Sequence, residues 1–249
     1  MIVAVTLAAA ALSMGSGSAP PPLELSVSPA HLALTPGARA AIHVRAVSGA
    51  RLLLRTSVAG LTLDGRGRPQ ITDRRDAASW LRVQPRSILE GPNGANFVVT
   101  SRRAASARPG DHTAIVLLTA TAPARKGIAV AMRVGLVVTV RVSGRSIRRI
   151  EVVAARARAA PRGGRLIAVT VANRGERIES IGGARLAVTL LRRGRIIGRF
   201  RVARRLLLPH TRAVVAFHTR AAAHGPVVAR VAIVRPDGGT TARTFRLRL

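Results

Sequence analysis

The chain has 249 residues, room for one large domain or for two of roughly 100 to 120 residues, the usual size of a β-sandwich. Apolar residues make up 48% of it but aromatic residues only 2%, so any core must be built from Val, Leu, Ile and Ala, which suits strands better than a ring-lined ligand pocket. A formal charge of +31, from 41 Lys plus Arg against 10 Asp plus Glu, points toward a polyanionic partner, and the absence of cysteine excludes disulfides and thiolate metal sites.

Lys126 is the only lysine, and the heavy use of Arg, Ala, Gly and Pro is the coding bias expected of a GC-rich bacterium. Part of the charge is then drift toward Arg rather than selection for a ligand. At the N-terminus, residues 2–14 form an uncharged apolar run, followed by Gly15-Ser16-Gly17-Ser18-Ala19 and Pro20-Pro21-Pro22. The run is about 13 residues, short of the roughly 20 needed to span a bilayer. It predicts a signal peptide over 1–19 and a Pro-rich spacer over 20–23. No Lys or Arg precedes the run, which leaves open its retention as an anchor. No hydrophobic tail closes the chain, so no second anchor is expected.

Beyond the spacer, short runs of period-two alternation are separated by Gly, Pro, Asp and Asn, the pattern of antiparallel strands and tight turns. Residues 39–47 alternate Ile42, Val44 and Ala46 with His43 and Arg45. Further strands are predicted at 52–58, 81–83, 96–101 and 113–121, divided by turns at Asp64-Gly65-Arg66-Gly67, Gly91-Pro92-Asn93-Gly94 and Pro109-Gly110-Asp111. Residues 65–79 read as a long surface loop. From 128 to 142 every even position is apolar: Ile128, Val130, Met132, Val134, Leu136, Val138, Val140 and Val142. At roughly 3.3 Å per residue such a strand would run about 50 Å, so a bend or bulge is expected near Gly135, with one face buried throughout.

Ser143-Gly144-Arg145 ends that strand. A second set is predicted at 147–155, 166–172, 185–191, 196–202, 212–219, 227–235 and 240–249, with hairpin signals at Arg193-Gly194 and Pro236-Asp237-Gly238-Gly239. The expected fold is all-β: two tandem immunoglobulin-like β-sandwiches, at 24–145 and 146–249, after the N-terminal signal segment. The first carries 18 basic and 6 acidic residues, net +12, and the second 23 and 4, net +19, which marks the second as the expected anionic contact.

Several phrases carry a resemblance. Leu25-Ser26-Val27-Ser28-Pro29 with Leu34-Thr35-Pro36-Gly37, Ser79-Trp80-Leu81-Arg82-Val83-Gln84-Pro85, Arg108-Pro109-Gly110-Asp111-His112 and the long closing strand resemble the first domain of PapD-like proteins, seen in pilus chaperones and in surface proteins of the WxL-interacting type. Val169-Thr170-Val171-Ala172-Asn173-Arg174-Gly175 and Leu208-Pro209 look like the immunoglobulin-like module that follows such a domain. In pilus chaperones, the resemblance implies, the closing strand of the first domain pairs along an open edge with a subunit that lacks a strand. It also implies a basic residue in the opening strand and a lysine near the closing strand that hold the subunit's carboxylate. Here residues 24–35 contain no Lys or Arg, while Lys126 lies just before the long strand.

Catalysis finds no support. The six histidines form no ligand pattern; His210 and His218 would stand about 27 Å apart on one strand. No G-x-S-x-G, H-E-x-x-H or G-x-x-x-x-G-K motif occurs, and the close acids Asp73 and Asp76 sit beside Arg74 and Arg75 as a solvated cluster. Trp80, beside Leu81 and Val83, reads as a core plug. The chain is therefore read as a non-enzyme with no catalytic residue, metal or cofactor. Nucleic acid is disfavoured because the only aromatic platforms are Trp80, Phe97, Phe200, Phe217 and Phe245.

The expected function is an exported or cell-envelope binding and scaffolding protein, with a pilus-type assembly chaperone lending the edge strand 128–142 to a secreted subunit as the alternative. The candidate edge-strand contacts are Val130, Met132, Val134, Leu136 and Val138. For an anionic envelope polymer they are Arg192, Arg193, Arg195, Arg199, Arg201, Arg204 and Arg205. Partners are thus a surface or secreted protein or an anionic polymer, with membrane contact only peripheral or through an uncleaved signal segment.

Overall fold

The computed structural model describes residues 3–6, 24–47, 52–73, 77–91, 93–102, 107–121, 131–160, 164–219, 225–235 and 238–248. The chain is all-β and forms two immunoglobulin-like β-sandwiches. It divides into two compact units, one comprising Met1–Leu61, Ile71–Arg108 and His112–Ser143, the other Thr62–Gln70, Pro109–Asp111 and Gly144–Leu249.

The strands of the first sandwich are β1 (Val3–Thr6), β2 (Glu24–Ser28), β3 (His31–Leu34), β4 (Arg39–Ala46), β5 (Leu53–Leu63), β6 (Pro69–Thr72), β7 (Leu81–Gln84), β8 (Ser87–Leu89), β9 (Ala95–Ser101), β10 (Gly110–Thr121) and β11 (Ala131–Val142). One sheet runs β1-β2-β4-β9-β7, the other β3-β11-β10-β5-β6 with β8 against β5. Alternation fixes which face each strand buries. On β4, Ile42, Val44 and Ala46 are buried while His43 and Arg45 are exposed. Phe97, Ile42, Leu54, Leu118 and Leu136 are among the largest fully buried side chains of a mostly aliphatic core, and Phe97 is the one fully buried ring among the described residues.

Two details differ from the sequence expectation. Residues 65–79 are not one long loop: β5 continues to Leu63, turns back, and is followed by β6 and a 3-10 turn at Ala77–Trp80. The cause is Asp64, whose Oδ1 accepts the amide N–H groups of Arg66 and Arg68, both at 2.8 Å. Those bonds, the one from Arg68 first, also hold the Asp64 carboxyl below the usual aspartate range. The described part of the closing strand, β11, runs from Ala131 as one strand through Gly135, where a bend or bulge was expected; residues 128–130 lie outside the described residues. Trp80 is half-buried against the core, its ring 4.7 Å from that of His112.

The second sandwich holds β12 (Ile150–Ala159), β13 (Arg165–Asn173), β14 (Glu179–Ile181), β15 (Leu186–Arg192), β16 (Arg195–Arg201), β17 (Arg205–Leu207), β18 (Arg212–Thr219), β19 (Pro226–Val234) and β20 (Thr240–Arg248). They form a β12-β13-β18 sheet, a β14-β17 pair and a β16-β15-β19-β20 sheet. Arg193 (φ 47) and Gly194 (φ 80) make the two-residue turn between β15 and β16 that the dipeptide predicts. The Pro236-Asp237 half of the other hairpin signal lies outside the described residues. Ile167, Ile181, Leu186, Leu190 and Leu207 fill this core, and Phe200 stacks on Phe217 at 4.3 Å beside it.

Buried polar groups in this unit are paired, as a low-dielectric interior requires. Glu179 is 1% exposed and takes Arg148 through two bonds of 2.7 and 3.0 Å. Asp111 accepts from the Arg177 guanidinium at 3.3 Å and from the Ile178 amide at 2.9 Å.

Candidate functional site

The feature of the first unit with chemistry to offer is a strand edge. The chain changes sheets after β2: β2 pairs antiparallel with β4, whereas β3 pairs parallel with β11, His31 to Leu34 lying opposite Val137 to Val140. On its other side β11 is flanked by β10. Because β3 covers only Val137 to Val140, residues 131–136 have no strand on that side among the described residues. Their outward N–H and C=O groups form a template for an added strand.

What this edge presents is main chain. Met132, Leu136 and Val138 are 7%, 1% and 0% exposed and point into the core, and Val134 is half-buried against it. Val130 lies outside the described residues. The accessible side chains of the open stretch are Ala131 and Arg133, whose Nε reaches Thr119 Oγ1 at 3.4 Å. A long cation on an exposed edge disfavours pairing between copies of the same chain without removing the hydrogen-bonding groups.

The covered end of the edge is pinned by His31, whose Nε2 lies 3.0 Å from Thr139 Oγ1. Partial burial of the imidazole lowers its pKa below the ordinary histidine value. The folded state thus resists a proton that the unfolded chain accepts near pH 6.5. Stability from this site is intact above that pH and declines as pH falls through it. Urea midpoints followed by far-UV circular dichroism are expected to drop between pH 7.5 and 5.5, and by less in His31→Gln.

The seven arginines proposed for an anionic polymer do not stay together. Arg192, Arg193 and Arg195 are exposed at the β15–β16 turn, Arg199 and Arg201 are exposed along the edge strand β16, and Arg204 is exposed just after it. Arg205 departs: on β17 it is partly buried and its Nη1 donates to the carbonyls of Arg66 and Val214. In sequence nothing sets it apart from Arg204.

Among the described residues no group of His, Cys, Asp or Glu is placed to hold a metal ion, and no helix is long and apolar enough to cross a membrane.

No protein-family model matches the chain, and no curated protein matches it. Solved structures do. A chaperone–tip adhesin complex of CFA/I fimbriae biogenesis aligns with a TM-score of 0.50 at 12% identity, over 88% of this chain and 97% of that one. The CupB2 chaperone of Pseudomonas aeruginosa aligns at 0.45 and 14%, over 89% and 99%. A Salmonella enterica complex of SafA pilin with the SafB chaperone aligns at 0.45 and 13%, over 93% and 99%. The fold is that of the PapD-like chaperones, two immunoglobulin-like sandwiches along nearly the whole chain. The likeness at a TM-score of 0.50 corrects the expectation of an envelope binding and scaffolding protein: the structure that shares the fold is a chaperone–tip adhesin complex of fimbriae biogenesis, which agrees better with the alternative reading.

Proposed function

We propose that this protein is an assembly chaperone that lends the main-chain edge of β11, over residues 131–136, to a secreted subunit short of a strand. The observation that carries the reading is the division of β11: the same strand is closed by β3 at Val137 to Val140 and, among the described residues, open before it. Extended-strand addition uses the main-chain groups for affinity, so it needs no pocket and no catalytic residue. The solved complex of a like-folded chaperone with a tip adhesin supports a surface subunit as partner and the envelope as the place of action. The absence of Lys and Arg from 24–35 means that a subunit carboxylate would not be held from the opening strand, so strand pairing carries more of the binding here.

The test is to capture partners of the full chain from envelope extract, wash at high salt, and map amide hydrogen exchange in the purified complex. Amides within 131–136 are expected to slow by about tenfold or more while those of β16 are unchanged. A salt-resistant complex in which 131–136 exchange as in the free protein would overturn the reading.

A further inference from the structure

The second unit distributes its charge unequally between its two sides. Its carboxylates Glu151, Glu179 and Asp111 are engaged by Arg148, Arg149, Arg174, Arg177 and Arg185, while Glu176 accepts the Ile147 amide at 2.8 Å. The β16-β15-β19-β20 sheet is different: none of its four strands contains an acidic residue.

Register shows what its outer face carries. Arg201, Ala187, Ala232 and Ala242 form one cross-strand row, and Arg199, Thr189, Arg230 and Thr244 the next. Then come Ile196, Leu191, Val228 and Arg246, with Arg248 opposite Pro226 beyond them. Arg199, Arg201, Arg230, Arg246 and Arg248 are all exposed, and no carboxylate pairs with any of them among the described residues. Small side chains lie between them, so the guanidinium groups stand above a low surface. Ile196, 50% exposed, leads an apolar row with the half-buried Leu191 and Val228 between the arginine rows and the Arg193-Gly194 turn.

We propose that this face docks on an anionic phospholipid bilayer. Positions two apart on a strand are about 7 Å apart and the outer strands of a four-stranded sheet about 15 Å apart. The five charges are therefore spread in two dimensions, which matches a plane of headgroup phosphates better than one linear chain threaded through a groove. Arginine suits phosphate through its planar donor fork, and an apolar row among cations can settle into the headgroup boundary. Each basic residue near such a surface adds to the attraction, so the five act together. The inference stands on charge and register and is independent of the β11 edge.

The test is sedimentation of the full chain with vesicles of phosphatidylglycerol and phosphatidylcholine mixed in equal parts, and with phosphatidylcholine alone, at physiological salt. Binding is expected to the mixed vesicles only. Arg199→Gln with Arg230→Gln and Arg246→Gln is expected to weaken it at least about tenfold, the Lys triple to retain most of it, and Arg39→Gln with Arg45→Gln and Arg102→Gln in the first unit to change it less than about threefold. Circular dichroism checks that each variant is folded. Equal losses from both Gln triples would reduce the effect to net charge and overturn the proposal. So would binding to soluble poly(glycerol phosphate) without binding to vesicles, or binding to neither.

Discussion

Phe97→Ala is expected to lower the stability of the first unit by about 4 kcal/mol, among the largest effects of any single truncation in that core. Phe97 lies opposite Ile42 in the β4–β9 pairing, is 0% exposed, and sits in a core whose other buried residues are Leu, Ile, Val, Ala and Met132. Removing the ring loses its transfer free energy and leaves a cavity that branched aliphatic neighbours on two sheets cannot collapse into. Phe97→Leu keeps most of the volume and is expected to cost less than half as much. Trp80 is the only tryptophan and the chain has no tyrosine, so its fluorescence in a urea titration follows this unit. A midpoint that falls by much less than about 1 M would show that the site relaxes around the loss.

Asn173→Leu is expected to destabilise the second unit by about 3 kcal/mol, although the two side chains are similar in size. Asn173 is 0% exposed at the end of β13. Its Nδ2 donates to the carbonyls of Arg177 at 2.7 Å and Leu207 at 3.2 Å, and its Oδ1 accepts the Gly175 amide at 2.9 Å. One side chain thereby shapes the turn after β13 and ties it to β17. Leucine leaves three backbone groups without that partner, and buried groups left unmade cost more than the average bond contributes. Asn173→Asp is expected to be no milder, because a carboxylate would face both carbonyls. Far-UV circular dichroism in urea measures either change; a loss below about 1 kcal/mol for Asn173→Leu would mean that water replaces the amide.

The strands with strong alternation were legible in the residues, because a half-buried strand writes its burial into every second position. β4, β9 and β11 are of this kind, and Arg193-Gly194 announces its turn by the positive φ it must adopt. Most elements of three or four residues were not, β7 at Leu81–Gln84 being the exception. β3, β8, β14 and β17 are too short to show a period, and β6 follows from a side-chain bond of Asp64 rather than from a pattern. The same limit governs the sites. The apolar positions of β11 were visible, but whether they face a partner or a core, and where the edge opens, depend on how far β3 reaches, a pairing between distant segments. Along the chain the arginine cluster spans 192–205. Register instead gathers Arg230, Arg246 and Arg248 from other strands beside Arg199 and Arg201 and sends Arg205 to backbone carbonyls.

The short pairing of β3 with β11 also bears on how the first unit acquires its structure. It joins residues 31–34 to residues 137–140, more than a hundred positions later, and β10 reaches back to β5 over 54 positions at Ala114–Gly60 and 68 at Thr121–Leu53. Such non-local closures are paid in chain entropy before any contact is gained, which places folding on the slow side of small domains, milliseconds to seconds. During synthesis Leu32 and Leu34 must wait for the last strand of their sheet. Until it emerges, the apolar face they will share has nothing to close it.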